Sequence, residues 1–301
     1  MIWLVYLPLV LPVLLVPAAR RATAASRPEA AARALTAAAL LAAACSSACL
    51  GLLTATLLDD LPAFEQHEDR AAVVGRVLPE PVPDWLALAA ALLLAWFAAR
   101  LVREAWRRDR AAAILHGVGR PFAGILVADW APARAVAVPP RLGRDGHVLV
   151  TTGLLKLLDA RERAVVYAHE RAHLRRRHHR IAALAAAAAA ANPLLRQVPA
   201  AVEVLIERSA DEDAARDTGD RILVARTIGK VALGGEAAHA SEGGLGFHGS
   251  STVRRVAALL TPPSGRALPV FALTVAGLAL AATGTALIEF VELARAWMPG
   301  H

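Results

Sequence analysis

The chain has 301 residues, of which 56% are hydrophobic and 20% charged, and its mean hydropathy is +0.45. This is too apolar for an ordinary soluble domain and points to membrane spans. The formal net charge of +7 is arginine gathered in clusters, without an aromatic-plus-basic patch, which sets nucleic acid aside as a partner.

Four segments are long and apolar enough to cross a bilayer as helices: 2–19, 35–58, 85–101 and 267–288. The first has no basic stretch ahead of its apolar core, and its arginines follow it, so an uncleaved span is expected rather than a signal peptide. Charge asymmetry orients the spans. Arg20, Arg21, Arg27 and Arg33 outweigh Glu29 in the first loop, which is expected in the cytoplasm. The second loop is acidic (Asp59, Asp60, Glu65, Glu68, Asp69) and is expected outside. Arg100, Arg103, Arg107, Arg108 and Arg110 follow the third span, so 103–266 is expected to lie in the cytoplasm against the inner leaflet of the cell membrane. Both termini then fall outside. Cys45 and Cys49, one turn apart in the second span, read as small packing residues.

Within the cytoplasmic segment, "ARAVAVPP" (133–140) reads as a short strand, at an edge because proline cannot donate to a ladder. "RDG" supplies a turn, and "HVLVTT" (147–152) a second strand, together a hairpin. Gly153 breaks the pattern. Asp159 and Glu162 have capping-box spacing ahead of a helix expected over 160–178. The alanine run 182–191 is too short to span and ends at Asn192-Pro193, so it reads as a helix end or a shallow, membrane-touching helix. A helix is expected over 202–217, and 234–249 reads as a glycine-rich flexible loop.

The polar residues converge on "AHERAHLRRRHH" (168–179). His169 and His173 are one helical turn apart and project from the same face, a spacing at which two imidazoles reach one zinc ion. Glu170 between them can act as general base on a water. A catalytic zinc needs a third protein ligand and an open position. "ERSAD" offers Glu207 as that ligand, and Asp211 to accept the ring N–H of a ligating histidine and fix its tautomer. Glu203 is an alternative ligand, ranked lower because no aspartate follows it by one turn. His178 and His179 read as a basic surface with Arg175, Arg176, Arg177 and Arg180, facing lipid headgroups. His116, His147 and His239 have no partner at ligand spacing and read as surface residues.

In this order of elements, "AHERAH", "NPL" and "ERSAD" ahead of a last span, the chain resembles membrane metallopeptidases of the BlaR/MecR type, gluzincins related to the HtpX and CAAX prenyl protease group. The resemblance implies a mainly α membrane protein. Its expected parts are three spans over 1–102, a cytoplasmic α+β zincin-like peptidase domain over 103–266, and a fourth span with a short tail over 267–301. It implies one zinc ion on His169, His173 and Glu207, Glu170 as base, and Asp211 orienting a ligand. In "STVRRVAALL" (251–260), Arg255 is a candidate to stabilise the oxyanion, with Arg254 and His248 behind it; the stretch reads equally as a basic loop near the membrane. The implied substrates are cytoplasmic or membrane-proximal proteins, such as a transcriptional repressor. About ten residues follow the fourth span, so a β-lactam-sensing domain is not implied. Two rival readings are an HtpX-like quality-control protease and a non-catalytic signalling protein with a structural zinc site.

Overall fold

The structure is a computed structural model that describes residues 7–24, 27–55, 83–240 and 249–261, with 274, 277, 280, 281, 283–285 and 288. The chain opens with α1 (Leu7–Val10), a 3₁₀ turn (Leu11–Leu14) and α2 (Leu15–Ala22). Prolines at 8 and 12 lie in this stretch, and the expected first span is broken into these short pieces. Two long helices follow, α3 (Pro28–Ala55) and α4 (Asp84–Gly117), and both are long and apolar enough to cross a membrane. Most of the expected fourth span lies outside the described residues.

The two candidate spans differ in what surrounds them. In its most apolar window α3 is 56% buried, whereas α4 is 17% buried. Trp85, Leu88, Leu92 and Trp96 on α4 are each at least half exposed. A bare apolar face of this kind suits lipid. The expected domain boundary at 102–103 falls inside α4, which runs on without a break and carries Glu104 paired to Arg107 and Arg108.

The sheet has three strands: β1 (Ile125–Ala128), β2 (Ala135–Val138) and β3 (His147–Thr151), in the order β1-β3-β2. The expected hairpin is β2 antiparallel to β3, and β2 is an edge strand as its prolines require. β1 adds a parallel partner on the other side of β3, which is buried along its whole length. This strand escapes a sequence reading because "ILVA" is an unbroken apolar run without alternation. Gly153 lies in the first turn of α5 (Thr152–Leu157), where a Cβ would sit 1.8 Å from the carbonyl oxygen of Ala131.

The remaining elements among the described residues are helical: α6 (Ala160–Arg175), α7 (His178–Ala191), a 3₁₀ turn (Pro193–Leu195), α8 (Val198–Thr218), α9 (Arg221–Ala240) and α10 (Gly249–Leu260). The capping box that starts α6 is present in both directions, Asp159 with Glu162, each bond 2.9 Å. This helix ends three residues earlier than expected. Arg177 takes left-handed backbone (φ 54°), and His178 opens a new helix. The expected flexible loop at 234–249 is helical through Ala240, and 241–248 lies outside the described residues. Gly234 serves close packing there, since a Cβ would come 2.7 Å from the Leu157 side chain.

Residues of α2, α3, α7 and α8 share one core, among them Leu15, Leu35, Ala39, Ala185, Val202 and Leu205. Alanine lets these helices approach closely, which explains why so small a side chain recurs in all of them. The alanine run is therefore a packed helix alongside α3. At its end Asn192 donates to Ser46 (2.9 Å), whose hydroxyl donates to the Pro8 carbonyl (2.8 Å). Each of these buried polar groups thus has a partner. A second core joins α6, α8, α9 and α10 through Val165, Ala214, Val224 and Leu259.

Gly153→Ala should destabilise the fold by about 2 kcal/mol or more, because the clash is with backbone that cannot rotate away. A thermal melt in detergent checks this, and an unchanged midpoint refutes the packing assigned to Gly153.

Candidate metal centre

α6 and α8 lie side by side and bring the predicted residues together. His169 and His173 come from α6, Glu207 and Asp211 from α8. The two histidine Nε2 atoms are 3.1 Å apart. Glu207 Oε2 lies 3.5 Å from His169 Nε2, and Glu207 Oε1 lies 3.5 Å from His173 Nε2. One ligand atom from each of the three residues falls within a mutual 4.8 Å. Zinc bonds of about 2.0–2.1 Å in a tetrahedron set neighbouring ligand atoms roughly 3.4 Å apart. The donor set, two imidazoles and a carboxylate at nearly this spacing, fits a zinc ion. Glu203 is exposed on α8 and is not part of the cluster.

The outer nitrogens of the two rings are also engaged. His169 Nδ1 lies 3.0 Å from Asp211 Oδ1, which fixes that ring with Nε2 toward the centre. Asp211 is buried and held by Arg255, whose Nε and Nη2 donate to it at 2.8 and 2.7 Å. Arg255 Nη1 also lies 3.0 Å from Glu207 Oε2. The guanidinium proposed for an oxyanion is thus spent on two carboxylates, and the geometry supports a positioning role for Arg255. His248 lies outside the described residues.

Three expectations about histidines need correcting. His178 is buried, not part of a surface, and its Nδ1 lies 3.1 Å from His173 Nδ1. The left-handed turn at Arg177 swings it back onto the site, and no spacing rule on one continuous helix foresees that. His116 and His147 are buried and packed edge to face at 5.3 Å, with His116 Nε2 2.8 Å from the Pro139 carbonyl. They tie the end of α4 to the sheet. The run of arginines next to the site likewise has inward partners: Arg175 and Arg176 both pair with Asp213, which is fully buried, and Arg176 also pairs with Glu29 of α3.

Glu170 lies on α6 beside the edge strand, where the Ala137 backbone N–H donates to its carboxylate. Burial raises its pKa above the usual carboxylate range, against the opposing charge of His169. A carboxylate with raised basicity is suited to take a proton. Burial alone would keep His169 neutral, but its bonds to Asp211 and Glu207 win and raise its pKa to about 10. Burial and the neighbouring His169 charge lower His173 to about 4. Burial of Glu207 is outweighed by His169 and Arg255, which hold its pKa well below the usual range. The cluster thus sets three carboxyl groups, Glu170, Glu207 and Asp211, against one guanidinium, and bonds to Asp211 and Glu207 favour the charged form of His169.

The model of peptidase family M48 matches residues 103–244, a stretch that contains the sheet and both site helices. M48 peptidases are zinc metalloproteases, so the match supports an M48 metallopeptidase and agrees with the clustered ligands. It does not extend to α2, α3 or Arg255, and it does not single out the BlaR/MecR type. No curated protein and no solved structure matches the chain.

With its pKa raised to about 10 by Asp211 and Glu207, His169 is expected to carry a proton at pH 7 that a ligating imidazole must lose, so zinc uptake should release about one proton. Affinity should accordingly rise with pH from 6 to 8. Calorimetry in buffers of different ionisation enthalpy reads the proton count, and a count of zero would show that His169 is already neutral.

Proposed function

We propose that the protein is an integral-membrane zinc endopeptidase that cuts cytoplasmic or membrane-proximal protein segments. His169, His173 and Glu207 hold one zinc ion, Glu170 is the general base, and Asp211 orients His169. The observation that carries this reading is the convergence of two imidazoles and a carboxylate on one point, with Glu170 next to an open strand edge.

The chain's own groups divide the work. The outer edge of β2 (Ala135–Val138) takes an extended peptide as an added strand, so cleavage requires a segment without secondary structure. That strand lies against α6, so the scissile bond is delivered beside Glu170. A bound zinc supplies a Lewis acid that polarises the carbonyl and makes a water nucleophilic near neutral pH. Glu170 accepts the proton of the attacking water and passes it to the leaving amine. Its elevated pKa suits both halves of that transfer. Arg255 keeps Asp211 and Glu207 ionised and in place.

In this reading the domain of 103–266 faces the cytoplasm and both termini lie outside. The bare apolar face of α4 and the arginines that follow it support this orientation. The substrates by resemblance are regulatory proteins such as a repressor, cut once. The second reading is broad quality control of the HtpX kind, which the M48 match favours over a non-catalytic scaffold.

Glu170→Gln should keep zinc binding and lose proteolysis by a factor of about 10² or more. Metal content and cleavage of an unfolded protein substrate are measured together, and full activity in the variant removes the base assignment. Cysteines placed at Asp84 and at Arg110 test the orientation. An impermeant thiol reagent added from outside should label the first and spare the second.

A further inference from the structure

Beyond the three ligands, Glu170, Asp211 and Arg255, a further side chain is built into the site. His178 begins α7, one residue after the left-handed Arg177, and is 1% exposed. Its ring meets His173 edge to face, with centroids 4.9 Å apart and the two Nδ1 atoms at 3.1 Å. Two ring nitrogens at that distance share a single proton. Its other nitrogen, Nε2, is buried and meets no hydrogen-bonding group among the described residues. A left-handed arginine is an unfavourable way to place a side chain kept only for packing, which points to a use for the His178 ring beside His173.

We infer that His178 is a positioning residue for His173, accepting its Nδ1–H so that Nε2 presents its lone pair to the metal. The inference rests on the zinc reading of the site. It makes the two histidine ligands equivalent in design: Asp211 orients His169 from α8, and His178 orients His173 from α7. It also explains why the helix is interrupted at Arg177. An uninterrupted helix would carry position 178, five residues on, around to another face.

The test separates an acceptor from a spacer. In His178→Asn the Oδ1 takes the place of Nδ1, whereas His178→Phe keeps a ring without an acceptor. Zinc affinity, read by competition with a chromophoric chelator, should fall about 10- to 100-fold in His178→Phe. In His178→Asn it should stay within about threefold of the wild type. Wild-type affinity in His178→Phe, or an equal fall in both variants, overturns the inference. Nitrogen NMR of histidine-labelled, zinc-loaded wild type reads the same question without a variant. Protonated Nδ1 on His173 and unprotonated Nδ1 on His178 are expected, and the reverse overturns it. If the wild type takes up no zinc, the metal reading itself fails and takes this inference with it; if it does and His178→Phe binds equally well, only the role of His178 falls.

Discussion

Two carboxylates, Glu207 and Asp211, are turned into a cleft between two helices, and the structure is arranged around keeping them ionised there. An uncompensated buried carboxylate is expensive and protonates instead. Here Arg255 meets both, and His169 meets both from the opposite side. One net negative charge remains beyond the guanidinium, and a proton on His169 supplies the balance. Removal of either carboxylate would therefore change more than one ligand, because the ring of partners is closed.

The site also depends on helices that lie outside the M48 match. α7 and α8 are packed in a common core with α2 and α3. Glu29 at the start of α3 reaches Arg176, which reaches the fully buried Asp213 of α8. Arg208 of α8 donates to the Thr23 carbonyl at 2.6 Å. Both site helices are thus tethered to the N-terminal segment by charged or hydrogen-bonded contacts.

Much of the site was legible because its signals are local. The i, i+4 histidines, the glutamate between them and the Asp159–Glu162 capping box all depend on helical periodicity over a few residues, and all are present. Glu207 and Asp211 were legible for the same reason, being one turn apart on a helix. What failed were features that depend on an irregular backbone residue or on contacts between distant parts of the chain. The break at Arg177 turned His178 from a surface residue into part of the site. The strand β1 was invisible because "ILVA" is an unbroken apolar run that shows no alternation. His116 and His147 looked unpartnered because they lie far apart in sequence. Gly153 and Gly234 read as a break and a flexible loop, when each marks a close approach of two elements.

The residue types and their spacing on single helices were settled by the sequence alone: two imidazoles on one face, a glutamate between them, a carboxylate pair on a later helix, and apolar segments of membrane-spanning length. Periodicity is enough for these, because the backbone of one helix fixes where side chains at i and i+4 point. Tertiary structure decided which helices face each other, and therefore that Glu207 rather than Glu203 joins the histidines and that Arg255 binds carboxylates. It also decided that His178 is buried. Those outcomes depend on the packing of α6 against α8 and on one left-handed residue, and neither leaves a periodic trace in the chain.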